Sequence, residues 1–326
     1  MTDGRPILGS LYVYAPNDVA PVVFIVLFAL SAVGHIWQCR RYNDRHLTGV
    51  QAFCAVLYTI AYALREYGAF NYLYSTPNLA CFIISEVFIY ISPPLLELAN
   101  YHILARIFFY VPHEATIPPN MVFALFGGFV AIVEGLNGVG VGFISNPSSS
   151  PSKQEIGSHL TIASLALQIV NIMTCYSLAI IFHWRCSKTK TASAAITAPL
   201  LALYASMAMI LTRSVFRLVQ NSGDVALDIY DYPALEKLTP LRRYEWYFYV
   251  FEAAPMLVSS IVWNVWHPRR YLPENPCLHL DRDGVTLVGR LDREEKRSVM
   301  QRTGNVLSFG MLFQAKKRAP EMLEEA

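Results

Sequence analysis

Seven apolar windows, each long enough to cross a bilayer, divide this chain: Val19–Gln38, Thr48–Phe70, Leu79–Val111, Met121–Ile144, His159–His183, Ile196–Val219 and Tyr244–Trp266. About 20 apolar residues in a helix match the hydrocarbon thickness. In lipid every backbone N–H and C=O must be paired within the protein, so windows of this length fold as helices. The third window exceeds one straight span, and Pro93 and Pro94 are expected to kink it. Only 15% of the 326 residues are charged, against about 25% in soluble domains. The expected class is therefore all-α: a polytopic seven-transmembrane helix bundle, multi-pass in the endoplasmic reticulum or plasma membrane.

Arginine and lysine set the orientation. With the N-terminus outside, the cytosolic segments carry 17 basic residues and the opposite side carries 5. That asymmetry predicts N-out, C-in. Residues 1–18 then form an extracytosolic N-terminus, 19–268 the membrane domain and 269–326 a charged, aperiodic cytosolic tail expected to be largely disordered. The first span is expected to serve as an uncleaved anchor. "NPSSSPSKQEIGS" reads as a polar loop before the fifth span, and "DVALDIYDYPALEKLTPLRR" as an acidic loop before the seventh. Six scattered cysteines form no CxxC or Cys/His cluster, so neither a zinc site nor a disulfide framework is expected. No segment has the basic-aromatic pattern of a nucleic-acid module. The expected partners are a lipophilic small molecule or lipid and the membrane lipids themselves, and no cofactor is called for.

Ionisable residues inside the spans are the next constraint. Each costs about 2.5–3.5 kcal/mol at a helix centre, so they should face the interior and find partners. Arg213 and Arg217 are four apart on one helix face, and Glu245 and Glu252 lie two turns apart on the next helix. A buried network between the two helices is expected, with Arg213, Arg217 and Glu252 sharing it. Arg65, Glu66, Glu86 and Arg106 have structural or interfacial readings. Glu97 and Glu134 are deep within their spans, and Glu134 stands beside "GLNGVGVG", where glycine permits close approach. Rings of Tyr58, Tyr62, Tyr90, Tyr101, Trp246, Tyr247, Phe248 and Tyr249 lie away from the interfacial belt. Such an interior suits packing, or a cationic or flat apolar ligand.

Several motifs resemble the fungal aminocholesterol-resistance, or lipid-translocating exporter, family. They are "RSVFRLVQNSG" (213–223), "YEWYFYVFEAAPM" (244–256) and "NVWHP" (264–268). Weaker matches are "HIWQ", "YALR", the Pro93-to-Arg106 stretch and "GSHLTIASLALQ". The resemblance implies seven helices and the handling of amphiphilic lipids such as sphingoid bases, or resistance to lipophilic toxins. The acids depart from the family pattern. Tyr58 stands where the family usually has Glu, Gly127 where it has Asp, Glu134 where it has Gln, Gln220 where it has Glu, Glu252 where it has Asp, and Glu97 where a small residue is usual.

Two functions fit a bundle with interior acids. In the first, an integral-membrane cyclase, a protonated carboxylic acid in a dry aromatic pocket protonates a prenylated substrate and a second carboxylate removes the last proton. Such a terpene cyclase-like isomerase would belong to secondary metabolism. Glu97, Glu134 and Glu252 are its candidate catalytic groups, and Tyr58, Tyr62, Tyr101, Arg213, Arg217 and Tyr249 line the candidate substrate site. The alternative is a lipid or amphiphile exporter in which the same charges hold head groups. The rewritten polar set favours the enzyme. A third reading is a receptor-like or stress-response protein with no turnover. No span contains a lysine, which weakens a retinal pigment. "ARIF" stands where a G-protein-coupled receptor has an acidic-Arg-Tyr triplet, which weakens that reading without removing it.

Overall fold

A computed structural model describes residues 5–43, 45–145, 151–189, 193–222, 230–273, 278–280 and 287–289. Six long helices come first: α1 (Ala20–Arg41), α2 (Arg45–Phe70), α3 (Thr76–Tyr110), α4 (Pro119–Ser145), α5 (Pro151–Lys188) and α6 (Ala194–Asn221). Two short helices, α7 (Tyr232–Glu236) and α8 (Pro240–Arg243), lead into the seventh span. That span consists of α9 (Glu245–Phe248), a π-helical turn (Tyr249–Ala253) and α10 (Ala254–Val265). All seven expected spans are thus helices long and apolar enough to cross a membrane, and the protein is a multi-pass integral membrane protein.

The helix ends follow from local chemistry. Asn17 Oδ1 accepts from the backbone N–H of Val19 and of Ala20, both at 2.8 Å, and Pro21 sets the first turn of α1. Ser75 caps α3 by accepting from the N–H of Asn78 at 3.3 Å. Pro93 and Pro94 do not interrupt α3, which continues as one helix of 35 residues. Pro255 does leave a mark. It has no N–H for the carbonyl of Phe251, and just before it the helix widens to a π turn, with Ala254 N–H reaching Tyr249 O. The polar stretch expected as a loop before the fifth span is mostly helical, because α5 starts at Pro151.

Each helix packs on its sequence neighbour, α10 closes back onto α1 and α6, and α3 also touches α6. The C-terminal half of α3 is the axis of the bundle, with Tyr101, Ile103, Leu104, Ile107 and Phe108 fully buried. The outer surface is apolar. On α1 the exposed residues Val22, Val26, Leu30, Val33 and Trp37 recur every three or four positions, making one lipid-facing stripe. Polar seams tie the interior. Asn100 bonds Ser206 and accepts from Trp263 Nε1 at 2.9 Å, and Ser206 bonds Ser259 at 2.8 Å, which joins α3, α6 and α10. Asn264 donates to Ser31 Oγ at 2.7 Å, and Ser31 bonds Ser260 at 2.7 Å, which joins α1 to α10.

α4 and α5 cross closely at Gly140 and Gly157. A Cβ on Gly140 would meet Gly157 O at 2.8 Å and Thr161 Oγ1 at 2.6 Å; one on Gly157 would meet Gly140 O at 2.6 Å. Backbone atoms cannot turn aside as a side chain can. Gly157→Val is therefore expected to force the helices apart and cost about 1–3 kcal/mol from overpacking. Thermal unfolding in detergent should show a lowered midpoint, and an unchanged midpoint would mean that the crossing is looser than this.

The segment 7–14 is folded across the end of the bundle where α2 gives way to α3. Leu11 N–H donates to Tyr72 O and Tyr74 N–H to Gly9 O, both at 2.9 Å. Tyr12 and Tyr14 pack with Leu235 and Leu238 into a small second core. Beyond the last span, Pro268–Arg270 forms a 3-10 turn, and β1 (Leu278–Leu280) pairs antiparallel with β2 (Leu287–Gly289). The disorder expected of the remaining tail, 290–326, falls outside the described residues.

Candidate functional site

The interior charges sort into three clusters. At the N-terminal end of the bundle, Arg65 on α2 reaches Glu86 on α3 at 3.2 Å and Glu245 on α9 at 3.5 Å. It also donates to Tyr14 Oη at 3.0 Å, and its guanidinium carbon lies 4.0 Å from the centroid of the Phe248 ring. Tyr12 stands over the same guanidinium, and burial pushes its phenol up to about 12, so it stays neutral. Glu245 also accepts from the N–H of Asn17 at 2.7 Å. This cluster fastens the N-terminal segment to α2, α3 and α9. Arg65 takes its acids from other helices rather than from its sequence neighbour Glu66.

The second cluster joins α6 to the π turn. Arg213 Nε–H donates to one oxygen of Glu252 at 2.7 Å, and Arg217 Nε–H donates to the other at 2.6 Å. Glu252 is 1% exposed. Arg217 also donates through Nη1 to Tyr90 Oη and, at 3.0 Å, to Gln220 Oε1. The expected network between the two helices is present, with Glu252 as its only glutamate among the described residues; Glu245 is committed to Arg65.

The third cluster surrounds Glu97. Tyr101, one turn along α3, donates its hydroxyl to Oε1. From α5, Gln168 Nε2–H donates to Oε2 at 2.9 Å and Asn171 Nδ2–H to Oε1 at 3.2 Å. The carboxyl group is 1% exposed and accepts on both oxygens.

Between the second and third clusters lies a cleft among α3, α4, α5 and α6. Glu134, Asn137, Gln168, Tyr90, Arg213 and Arg217 line it, with Asn137 one turn along α4 from Glu134. Of the predicted site residues, Glu134, Arg213 and Arg217 therefore share the cleft wall. Glu252 lies one side chain behind the arginines, and Glu97 and Tyr101 lie behind Gln168. Tyr58, Tyr62 and Tyr249 stand apart in an aromatic stack with Phe24 and Phe28 of α1, at centroid distances from 4.6 to 6.4 Å. The hydroxyls of Tyr58 and Tyr62 are buried without a hydrogen-bond partner. Gln168, Asn171 and Asn137 were not singled out in the sequence. Their signal was helical spacing alone: Gln168 and Asn171 are three apart, and so are Glu134 and Asn137.

Residues 51–275 match the family described as RTA1 like protein. A relative from Leptosphaeria maculans, "Lipid-translocating exporter-like protein RTA1", is 47% identical over 97% of this chain, which spans 62% of that relative's length. "Probable lipid transporter atnI" of Emericella nidulans is 26% identical over 81% of this chain and 69% of its own length. "Protein RTA1" of Saccharomyces cerevisiae is 24% identical over 79% of this chain and 85% of its own length. No solved structure matches the chain.

These relatives overturn the expectation of a terpene cyclase-like isomerase: two are named for lipid translocation or transport, and none for cyclisation. The geometry supplies a reason. A catalytic acid must present a proton to a substrate, yet Glu252 has a guanidinium N–H on each oxygen, and Glu97 is closed off by three donors. Of the rewritten acids, Glu252 and Glu97 sit within buried polar clusters, and Glu134 lines the cleft. With a family match across residues 51–275 laid over this seven-helix frame, the chain belongs to the RTA1-like family.

Proposed function

We propose that this protein translocates an amphiphilic lipid, or exports one, using the α3–α6 cleft to hold the polar head. The observation that carries this reading is the cleft itself: a carboxylate and two guanidinium groups let into the wall of a bundle whose outer surface is apolar. A head group crossing hydrocarbon unaided loses its hydration, and polar groups arranged along the protein replace part of it. The lipid-transport names of the relatives support the same reading. The substrate is then a membrane lipid or a lipophilic molecule with a polar end, and the apolar part stays in contact with the bilayer.

The test is leaflet exchange in proteoliposomes. Full-length protein is reconstituted with a trace of head-labelled fluorescent phospholipid, and dithionite is added outside. Protein-containing vesicles should lose more than the outer-leaflet half of the signal. A plateau equal to that of protein-free vesicles, for glycerophospholipids and sphingoid lipids alike, overturns the proposal. The orientation is proposed as N-out, C-in on the basic-residue asymmetry. A glycosylation reporter fused after Ala326 should remain unmodified, and lumenal modification would reverse the assignment.

A further inference from the structure

We propose that the α3–α6 cleft selects a zwitterionic head group, with a phosphate held by Arg217 and an ammonium held by Glu134. The inference rests on the lipid-translocation reading and narrows it to a substrate class. Arg213 and Arg217 share a single carboxylate, Glu252, so the α6 wall carries one cation more than the anion behind it. Arg217 is 5% exposed, and its Nε and Nη1 are engaged. Its Nη2 is buried with no partner among the described residues, on a residue that lines the cleft. A buried guanidinium N–H left unpaired is costly, and a phosphate oxygen is the acceptor that a guanidinium fork matches in geometry and charge.

Glu134 stands on the α4 side of the same cleft, beside Asn137. Its nearest cation, Arg213, faces it across the cleft without an ion-pair contact and is already bonded to Glu252. A carboxylate let into the bundle wall is stabilised by a contacting cation, and an ammonium beside a lipid phosphate supplies it. The depth fits as well. α6 has 28 residues, and at 1.5 Å per residue it is about 42 Å long. That equals the thickness of a bilayer including its head groups, about 40–45 Å. Arg217 is four residues from the end of α6 at Asn221, about 6 Å, which is head-group depth.

The experiment uses full-length protein in dodecyl maltoside and follows thermal unfolding by tryptophan fluorescence against four probes. These are dihexanoyl-phosphatidylethanolamine, dihexanoyl-phosphatidic acid, dodecylamine and inorganic phosphate. The first should give a saturable rise in the midpoint at the lowest concentration, and the second a weaker one. Dodecylamine and inorganic phosphate should give none. Arg217→Lys keeps the charge but not the fork, and should weaken both phospholipids about tenfold. Glu134→Gln, which leaves the arginine clamp untouched, should erase the preference for phosphatidylethanolamine over phosphatidic acid. Dodecylamine binding as well as the phospholipid overturns the proposal. So does full competition by inorganic phosphate, which would mark a free-phosphate site, or an unchanged probe order in Glu134→Gln. If Arg217→Lys does not fold, the wild-type probe series and Glu134→Gln decide. Leaflet exchange without head-group preference would sink this inference alone, whereas preference without exchange would sink the transport reading alone.

Discussion

Glu252→Ala is expected to remove most folded protein from the membrane. The carboxylate is the shared anion of two guanidinium groups whose side chains are 4% and 6% exposed. Deleting it leaves two like charges facing each other inside the bundle, where losing a buried partner costs about 3–5 kcal/mol. That is a large part of the 5–15 kcal/mol typical of a whole domain. Arg217→Ala should be milder, because Arg213 still neutralises Glu252 and Gln220 loses only one bond. Glu252→Asp should fall between the two, since it keeps the charge but shortens the reach from the π turn. Fluorescence-detected size exclusion of tagged variants ranks them directly. Wild-type yield and unfolding midpoint for Glu252→Ala would show that the arginines have another anion.

The seven spans were legible because lipid imposes a length and a composition on each, and the helices match those windows closely at most ends. α5 is the exception. Its first turns are polar because they precede the apolar stretch, so hydropathy placed the start eight residues late, at His159 rather than Pro151. Helical spacing also put Arg213 and Arg217 on one face, and their pairing with α9–α10 followed from cost. The expected trio of Arg213, Arg217 and Glu252 is present, and what spacing could not show is that Glu245 stays out of it. The π turn at Tyr249–Ala253 rotates Glu252 relative to Glu245, and Arg65, far away in sequence, claims Glu245. The surroundings of Glu97 were illegible for a related reason. A lone acid in an apolar window looks catalytic when its partners are amides and phenols, residue types common in any helix. Gln168, Asn171 and Tyr101 reveal a structural role only once the helices are packed.

That packing also sets the expectation for Glu97→Gln. A glutamine is nearly isosteric and carries no charge, so cost of burial alone favours it. The hydrogen bonds argue the other way. All three neighbours donate into the carboxyl group, and the substitution exchanges one acceptor oxygen for an NH2. That NH2 meets groups that now donate, so either Gln168 must flip to offer its carbonyl, or Tyr101 must turn to accept, or the new donor stays unsatisfied. A buried donor left unsatisfied costs about 1–3 kcal/mol, so the unfolding midpoint should fall although the side-chain volume is unchanged. Gln168→Glu in the same molecule supplies an acceptor where the new NH2 points, and the double variant should be more stable than the sum of the two single losses. A coupling above about 0.5 kcal/mol in that cycle establishes the contact. Gln168 also lines the cleft, so Glu97→Gln should slow leaflet exchange by more than its loss of folded protein explains, and Gln168→Glu should partly restore it. Exchange that tracks the folded fraction alone would confine Glu97 to holding α3 against α5. A Glu97→Gln variant as stable as wild type, with additive single effects, would mean that the three donors have other acceptors and that Glu97 does not organise this wall of the cleft.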